Sequence, residues 1–145
     1  MVTYMHGNIF DSTAQVLVNP VNCVGVMGKG LALEFRKRYP EMYRDYREKC
    51  LAGSVRPGTP YIYIEDSRLI MNFPTKDNWK DRSDIRYIAD GLDWFRTNYK
   101  MYGISSAAFP ALGCGCGCLR WDIVKKEMEQ KLGSLNADIQ IYLPR

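Results

Sequence analysis

One histidine, His6, is all the imidazole carried by this chain of 145 residues. That scarcity excludes three-histidine zinc sites, HExxH helices and any mechanism that passes protons between two imidazoles. The five cysteines, Cys23, Cys50, Cys114, Cys116 and Cys118, form an odd set with three crowded into one short stretch. The spread framework of a disulfide-stapled secreted domain is therefore lacking, and a reducing cytoplasm is the expected compartment. Nothing in Met1–Phe10 has the basic-then-apolar form of a secretory leader, and no apolar run approaches the ~18–20 residues needed to span a bilayer. A basic tail is also missing, because the formal charge of +4 is shared evenly between the two halves of the chain. A balance this mild tolerates an anionic ligand but does not by itself mark a nucleic-acid surface.

What is present is a globular composition, 46% apolar and 25% charged. At this length one domain over residues 1–145 is expected to bury roughly 68–70% of its unfolded surface, enough for a core without staples. Runs rich in β-branched and aromatic residues predict strands at Val2–Met5, Val16–Asn19, Tyr61–Ile64, Leu69–Phe73, Ser105–Pro110 and Ile139–Leu143. Between them lie helical patterns. Ile85, Ile88, Leu92, Phe95 and Tyr99 recur at steps of three and four, which predicts a helix over Asp84–Tyr99 with Ser83 as N-cap and Gly103 beyond its end. A second stripe, Trp121, Val124, Met128 and Leu132, runs to Gly133, with Asp122 where a helix start favours negative charge. Two shorter pieces, Leu31–Arg38 and Glu41–Cys50, meet at Tyr39-Pro40, and proline suits the first turn of the second. This alternation predicts a mostly parallel sheet covered on both faces, with ligand loops at the carboxyl ends of strands.

Two glycine-rich segments follow such ends. NPVNCVGVMGKGLALEF, from Asn19 to Phe35, places Gly25, Gly28 and Gly30 before a helix. There, close backbone approach and the positive helix end suit a pyrophosphate. It is neither GxGxxG nor a Walker A sequence, because Gly28-Lys29-Gly30 lacks the Ser/Thr that would hold magnesium. FPALGCGCGCLRW, from Phe109 to Trp121, repeats the arrangement, and a run of inward N–H groups there would form an anion nest. Each loop alone has a bland alternative, a connection with no ligand, whereas the pair can close over one diphosphate. Cys114, Cys116 and Cys118 stand at i, i+2, i+4, unlike the CxxC knuckles of zinc sites. Structural thiols, a metal site and a thiol nucleophile all remain open for them. Asn19 and Asn22 flank Pro20, where Asn either satisfies turn backbone or bonds a sugar hydroxyl. Lys76 ends NFPTK and leads into KDNWKDRSDIR. It is a solvated lysine, a charge partner for phosphate, or an amine nucleophile if Lys80, Arg82 or desolvation lowers its pKa. Trp79 in the same stretch either anchors its loop or stacks on a base.

GNIF at Gly7–Phe10, VNPVN at Val18–Asn22, GVMGKGLALEF and PALGCG together resemble the macrodomain, the ADP-ribose-binding fold, over essentially the whole chain. Within that family, MGKGLALEFRKRYPEMY, NFPTK and GCGCGCLRW are similar to the branch that holds terminal ADP-ribose protein glycohydrolase and the DNA ADP-ribosyl glycohydrolase antitoxins called DarG. The resemblance implies a three-layer α/β/α domain with a mixed, mostly parallel sheet of about six strands. It implies ADP-ribose as ligand and product, with no metal and no other cofactor. Asn8 would lie at the adenine, and Ile9 would also belong to the ligand site. Asn22 would bind the distal ribose and take part in catalysis, the loops Gly28-Lys29-Gly30 and Gly113–Cys118 would hold the diphosphate and distal ribose, and Leu31 would also belong to the ligand site. Pro110, Leu112, Gly113 and Cys114 would complete the ligand site with Gly115, Cys116, Gly117 and Cys118.

Lys76 matches the branch's catalytic lysine. Many macrodomains carry Asp where this chain has Asn8, and an amide oxygen accepts from the adenine amino group without charge assistance. Protein-directed members carry an aspartate at the position of Gly117, whereas DarG-type members do not. The departure therefore implies thymine-linked ADP-ribose on DNA as substrate. The alternatives are ADP-ribosyl esters on protein Glu/Asp, O-acetyl-ADP-ribose, or a non-catalytic reader of ADP-ribose. Implied partners are ADP-ribosylated single-stranded DNA and a cognate DNA ADP-ribosyltransferase toxin. The expected state is a monomer, either a stand-alone enzyme or a domain of a longer antitoxin.

Overall fold

The computed structural model describes residues 1–144. Its centre is a six-stranded sheet in the order β1-β6-β5-β2-β4-β3. The strands are β1 (Val2–Met5), β2 (Val16–Val21), β3 (Tyr61–Glu65), β4 (Arg68–Pro74), β5 (Ser106–Phe109) and β6 (Asp138–Tyr142). Every pairing is parallel except β3 on β4 at one edge. The helices are α1 (Gly30–Arg38), α2 (Pro40–Leu51), α3 (Ile85–Asn98) and α4 (Trp121–Leu132), with a 3-10 turn at Ile9–Asp11. The expected mixed α/β layering is therefore present, and each strand boundary moves by two residues or fewer from the sequence reading.

Period-two alternation sorts the strand side chains into two cores. Val16, Val18, Met71, Phe73, Ala107 and Phe109 face α3 and α4. Leu17, Val21, Ile70 and Ala108 face α1 and α2, where Phe35, Met42 and Tyr46 cover them. Because β2 is buried on both faces, its first half, Val16-Leu17-Val18, reads as a continuous apolar run instead of an alternating one. The α3 stripe lies on the sheet as predicted, with Ile88, Leu92 and Phe95 fully buried and Phe95 edge-on to Phe109 at 5.3 Å. Gly91 lets α3 come this close, since a Cβ there would lie 2.3 Å from the Phe73 ring. Truncating Phe73 or Phe95 to alanine would remove about 3–5 kcal/mol.

The N-cap of α3 is Asp84, not Ser83. The Asp84 side chain accepts from the Arg86 N–H, while Ser83 is buried and its hydroxyl bonds Thr75 Oγ1 at 3.1 Å. Both residues can cap a helix. Packing against the end of β4 assigns Ser83 elsewhere. Pro40 occupies the first turn of α2 and Asp122 the first turn of α4, as the sequence predicts. No helix among the described residues is long and apolar enough to cross a membrane.

Candidate functional site

Five parallel strands place their carboxyl ends on one edge of the sheet, and the loops that leave those ends enclose a cavity of about 800 Å³. A cleft at the carboxyl ends of parallel strands is where an open α/β sheet binds its ligand, and this volume suits a nucleotide-sized molecule.

The first wall is the segment from Asn22 to Gly30, between β2 and α1. Asn22 is buried and organises it. Its Oδ1 accepts from the N–H groups of Val24 (3.1 Å) and Val26 (3.4 Å), and its Nδ2 donates to the Val26 carbonyl at 2.7 Å. The Tyr46 hydroxyl lies 2.7 Å from Asn22 Oδ1 and 2.8 Å from its carbonyl oxygen. Burial raises the Tyr46 pKa, so the phenol keeps the proton it donates. One Nδ2 hydrogen of Asn22 is left for a ligand. The loop delivers the chain to Gly30, whose φ of +61° favours glycine. The first turn of α1 then leaves its N–H groups open toward the cavity.

The second wall is the segment Gly113–Gly117 after β5. Gly113 has φ +74°, and a Cβ there would press on Leu119, Ile88 and Ser83 at 2.8–3.0 Å. Gly117 is more constrained still. A Cβ would sit 2.1 Å from Ser83 Oγ and 2.5 Å from the Gly113 carbonyl, and the Ser83 N–H donates to the Gly117 carbonyl at 2.9 Å. No side chain fits at Gly117 while Ser83 stays where it is. Gly115 is different, with nothing within 4 Å of its Cβ position. Among the described residues the N–H groups of Gly115, Cys116 and Gly117 have no intramolecular partner, which is the composition of an anion nest. The two walls touch where Cys116 Sγ packs 3.1 Å from the Cβ position of Gly30.

Lys76 closes the floor between them. It continues β4 through Thr75, whose N–H bonds the Val21 carbonyl, and the Cys23 N–H reaches the Asp77 carbonyl at 2.8 Å. Only 9% of Lys76 is exposed. Its Nζ donates to the carbonyls of Trp79 (3.3 Å) and Cys116 (3.5 Å). Two of its three donor positions are thus held by backbone, and the third is left for whatever fills the cavity. The thiols around it are restrained. Burial, reinforced by Asp77 and then Cys50, pushes Cys23 up to about 12, and burial pushes Cys114 up to about 11. No group of three His, Cys, Asp or Glu side chains among the described residues is placed to hold a metal ion.

Most residues singled out in the sequence line this cavity: Ile9, Asn22, Lys76, the Gly28–Leu31 turn, Pro110 and the Gly113–Gly117 turn. Three others do not line it. Leu112 is fully buried in the core beneath the second loop. Cys118 is exposed at φ +63°, with the Arg82 guanidinium on its carbonyl. Asn8 uses its Oδ1 to accept the Phe10 N–H at 2.9 Å, capping the 3-10 turn. The sequence reading did not single out Glu34 or the Tyr142–Pro144 segment as ligand-site residues, and both line the cavity. A cavity-facing Glu34 was detectable as a helix residue one turn past Gly30. The β6 extension has no such signal, because only the sheet order brings it there. Lys29, Glu34 and Lys76 are the charged side chains on the lining. The positive pair stands by the glycine turns, and the carboxylate lies a helical turn further along α1.

Comparison with known proteins agrees with this geometry. The Macro domain family model matches residues 18–128. A DNA ADP-ribosyl transferase-DNA ADP-ribosyl glycohydrolase fusion protein of Thermosipho africanus is 39% identical over 99% of this chain and 42% of its own length. A DNA ADP-ribosyl glycohydrolase of Mycobacterium tuberculosis is likewise 39% identical, over 99% of this chain and 42% of its length. The chain thus spans about two fifths of the length of these two curated relatives. Among solved structures, the macrodomain of Mycobacterium tuberculosis DarG superimposes with a TM-score of 0.97 at 39% identity, covering 100% of this chain and 99% of that one. Thermosipho africanus DarTG in complex with ADP-ribose gives 0.95 at 40% identity, covering 99% of this chain and 41% of that one. With a sheet of this order, two glycine turns across one cavity and a family match over most of its length, the chain belongs to the macrodomain family.

Proposed function

We propose that this chain binds ADP-ribose in the cavity and hydrolyses the bond between mono-ADP-ribose and a thymine base of DNA, with Lys76 as the catalytic group. The observation that carries the reading is Lys76 itself. It is a nearly buried amine held by two carbonyls between two glycine turns suited to a diphosphate. The names of the relatives, DNA ADP-ribosyl glycohydrolases at 39% identity, support the same substrate class, and ADP-ribose bound in the Thermosipho africanus structure supports the ligand.

In this reading the diphosphate lies on the N–H groups of the α1 turn and of Gly115–Gly117, with Lys29 beside it. Asn22 offers its remaining Nδ2 hydrogen to the distal ribose. Lys76 Nζ gives up a proton to water and adds to the anomeric carbon as the C–N bond to thymine breaks. The departing base takes up a proton, and the nitrogen loses one. The lysyl-ribose adduct then opens to an imine, and water cleaves it to give ADP-ribose and regenerate the amine. Gly117 has no room for the partner carboxylate that protein-directed members place there, which favours DNA over protein esters. The six-stranded sheet, which takes strands from both ends of the chain, supports treating residues 1–145 as one domain. We take it to act as a monomer in the reducing cytoplasm, where five free thiols persist, opposite a DNA ADP-ribosyltransferase of the kind fused to the Thermosipho africanus relative.

The test is release of ADP-ribose from a thymidine-ADP-ribosylated oligonucleotide. The wild type should release it, Lys76→Ala should fall by at least about a hundredfold, and cyanoborohydride should trap a lysyl adduct only when Lys76 is present. Undiminished release by Lys76→Ala, or faster release from ADP-ribosylated protein carboxylates than from DNA, would refute the proposal.

A further inference from the structure

The turn that carries Lys76 also carries an unexplained tryptophan. Trp79 is 45% exposed, lines the cavity, and has no hydrogen-bond partner for its indole N–H among the described residues. It also packs on no other aromatic ring among them. Exposure of one indole is ordinary; exposure on the wall of the cavity, in the turn that holds Lys76, is what sets this one apart. The main chain that carries it is nonetheless held in a bonded turn. The Lys80 N–H bonds Asn78 Oδ1 (3.1 Å), the Asp81 N–H bonds the Asn78 carbonyl (3.0 Å) and the Asn78 N–H bonds Asp81 Oδ2 (3.3 Å). The Trp79 carbonyl receives Lys76 Nζ. Lys80 Nζ lies over the ring at 5.4 Å from its centroid, which occupies one face with a cation and leaves the other for a ligand.

We infer that Trp79 is a stacking platform for the base that carries the ADP-ribose, and so a specificity-determining residue for the activity proposed above, on which this inference rests. The reasoning is geometric. The anomeric carbon must come within reach of Lys76 Nζ, so the base attached to that carbon emerges beside the residue whose carbonyl holds the amine. A flat aromatic face there suits a planar base and offers nothing comparable to a carboxylate ester. The neighbouring charges do not account for such selectivity. Asp84 pairs with Arg86 at 2.7 Å, Arg82 is spent on the Cys118 carbonyl, and Asp77 and Asp81 oppose Lys80. Base stacking, not phosphate attraction, is left as the recognition element.

The experiment compares wild type, Trp79→Ala and Trp79→Phe on three probes: free ADP-ribose, ADP-ribosylated thymidine as a single nucleoside, and a modified oligonucleotide. Binding is read in the Lys76→Ala background and turnover in the native one. Trp79→Ala should leave affinity for free ADP-ribose within twofold. It should weaken binding and lower kcat/KM on both modified probes by about tenfold, with Trp79→Phe recovering most of the loss at low and at high salt. Equal loss of free ADP-ribose affinity would overturn the inference, because the ring would then belong to the ADP-ribose pocket or to the loop's stability. A loss confined to the oligonucleotide would overturn it in favour of a neighbouring nucleotide, and an unchanged kcat/KM would overturn it outright. If wild type releases nothing from either modified probe, the proposed activity fails. The binding arm still decides the platform, which is excluded if modified thymidine binds no more tightly than ADP-ribose.

Discussion

The two glycine turns meet across one cavity, yet they are held by opposite means. The first, Asn22–Gly30, is shaped by a side chain: a single buried amide gathers the N–H groups of Val24 and Val26, the Val26 carbonyl and the Tyr46 hydroxyl. The second, Gly113–Gly117, is shaped by the lack of side chains. It lies so close to Ser83 that neither Gly113 nor Gly117 has room for a Cβ. Polar satisfaction fixes one wall and steric closeness fixes the other. Both leave backbone N–H groups open to an anion, so an anion cradle does not depend on one recipe. The difference also decides which substitutions each wall tolerates.

The largest effect is expected in the first wall. Asn22→Ala strands three main-chain groups while the Tyr46 hydroxyl keeps the residue-22 carbonyl, and should lower stability by about 3 kcal/mol in denaturant unfolding, with ADP-ribose affinity falling alongside. A loss below 1 kcal/mol would mean that water replaces the amide and that the wall is not side-chain built. Next comes Gly117→Ala, where overpacking against Ser83 and the Gly113 carbonyl should remove about 1–3 kcal/mol. Ser83→Gly should restore only part of this, because the carbonyl clash remains; full rescue would reduce the steric argument to one hydroxyl.

Each wall also carries a restrained thiol, Cys23 at about 12 and Cys114 at about 11, both above the ordinary value of 9.0. A raised pKa means that the folded state holds the proton more tightly than the unfolded one. The stability from these thiols is therefore present below about pH 9 and is lost as pH climbs through 11 and then 12. Urea midpoints should fall across that window, and Cys114→Ala should flatten its lower part. At neutral pH a thiol reagent should modify the exposed Cys116 and Cys118 before Cys23 and Cys114, with bound ADP-ribose slowing Cys116. The smallest effect belongs to Gly115→Ala, within about 0.5 kcal/mol. It is the internal control that separates a glycine required by packing from one that is not.

Much of this was legible in the chain. Ile85, Ile88, Leu92 and Phe95 announced α3, and the continuous Val16-Leu17-Val18 run announced a strand buried on both faces. The two glycine segments announced the walls, and NFPTK placed Lys76 at a strand end. What was not legible involves residues with two equally good local uses. Ser83 and Asp84 can each cap a helix, and the contact with Thr75 settles which one does. Asn8 can reach a ligand or its own backbone, and it takes the Phe10 N–H. Leu112 sits inside a ligand-loop sequence but points into the core. Tyr142–Pro144 enters the cavity through a segment that carries no motif, whereas Glu34 does so from within the first glycine motif.

The sequence by itself determined the elements, their periodicity and the residue types from which an anion cradle can be made, because those follow from local sterics and from apolar spacing along the chain. It also limited the chemistry to amine, carboxylate, amide, thiol and backbone groups by supplying one histidine. Only the tertiary structure decided that Gly117 must lack a side chain, that Asn22 spends most of its amide on its own loop, and that Lys76 and Trp79 share one fixed turn at the cavity. Those outcomes depend on distances between segments far apart in the chain, and such distances are set by how helices and strands pack, not by any local preference.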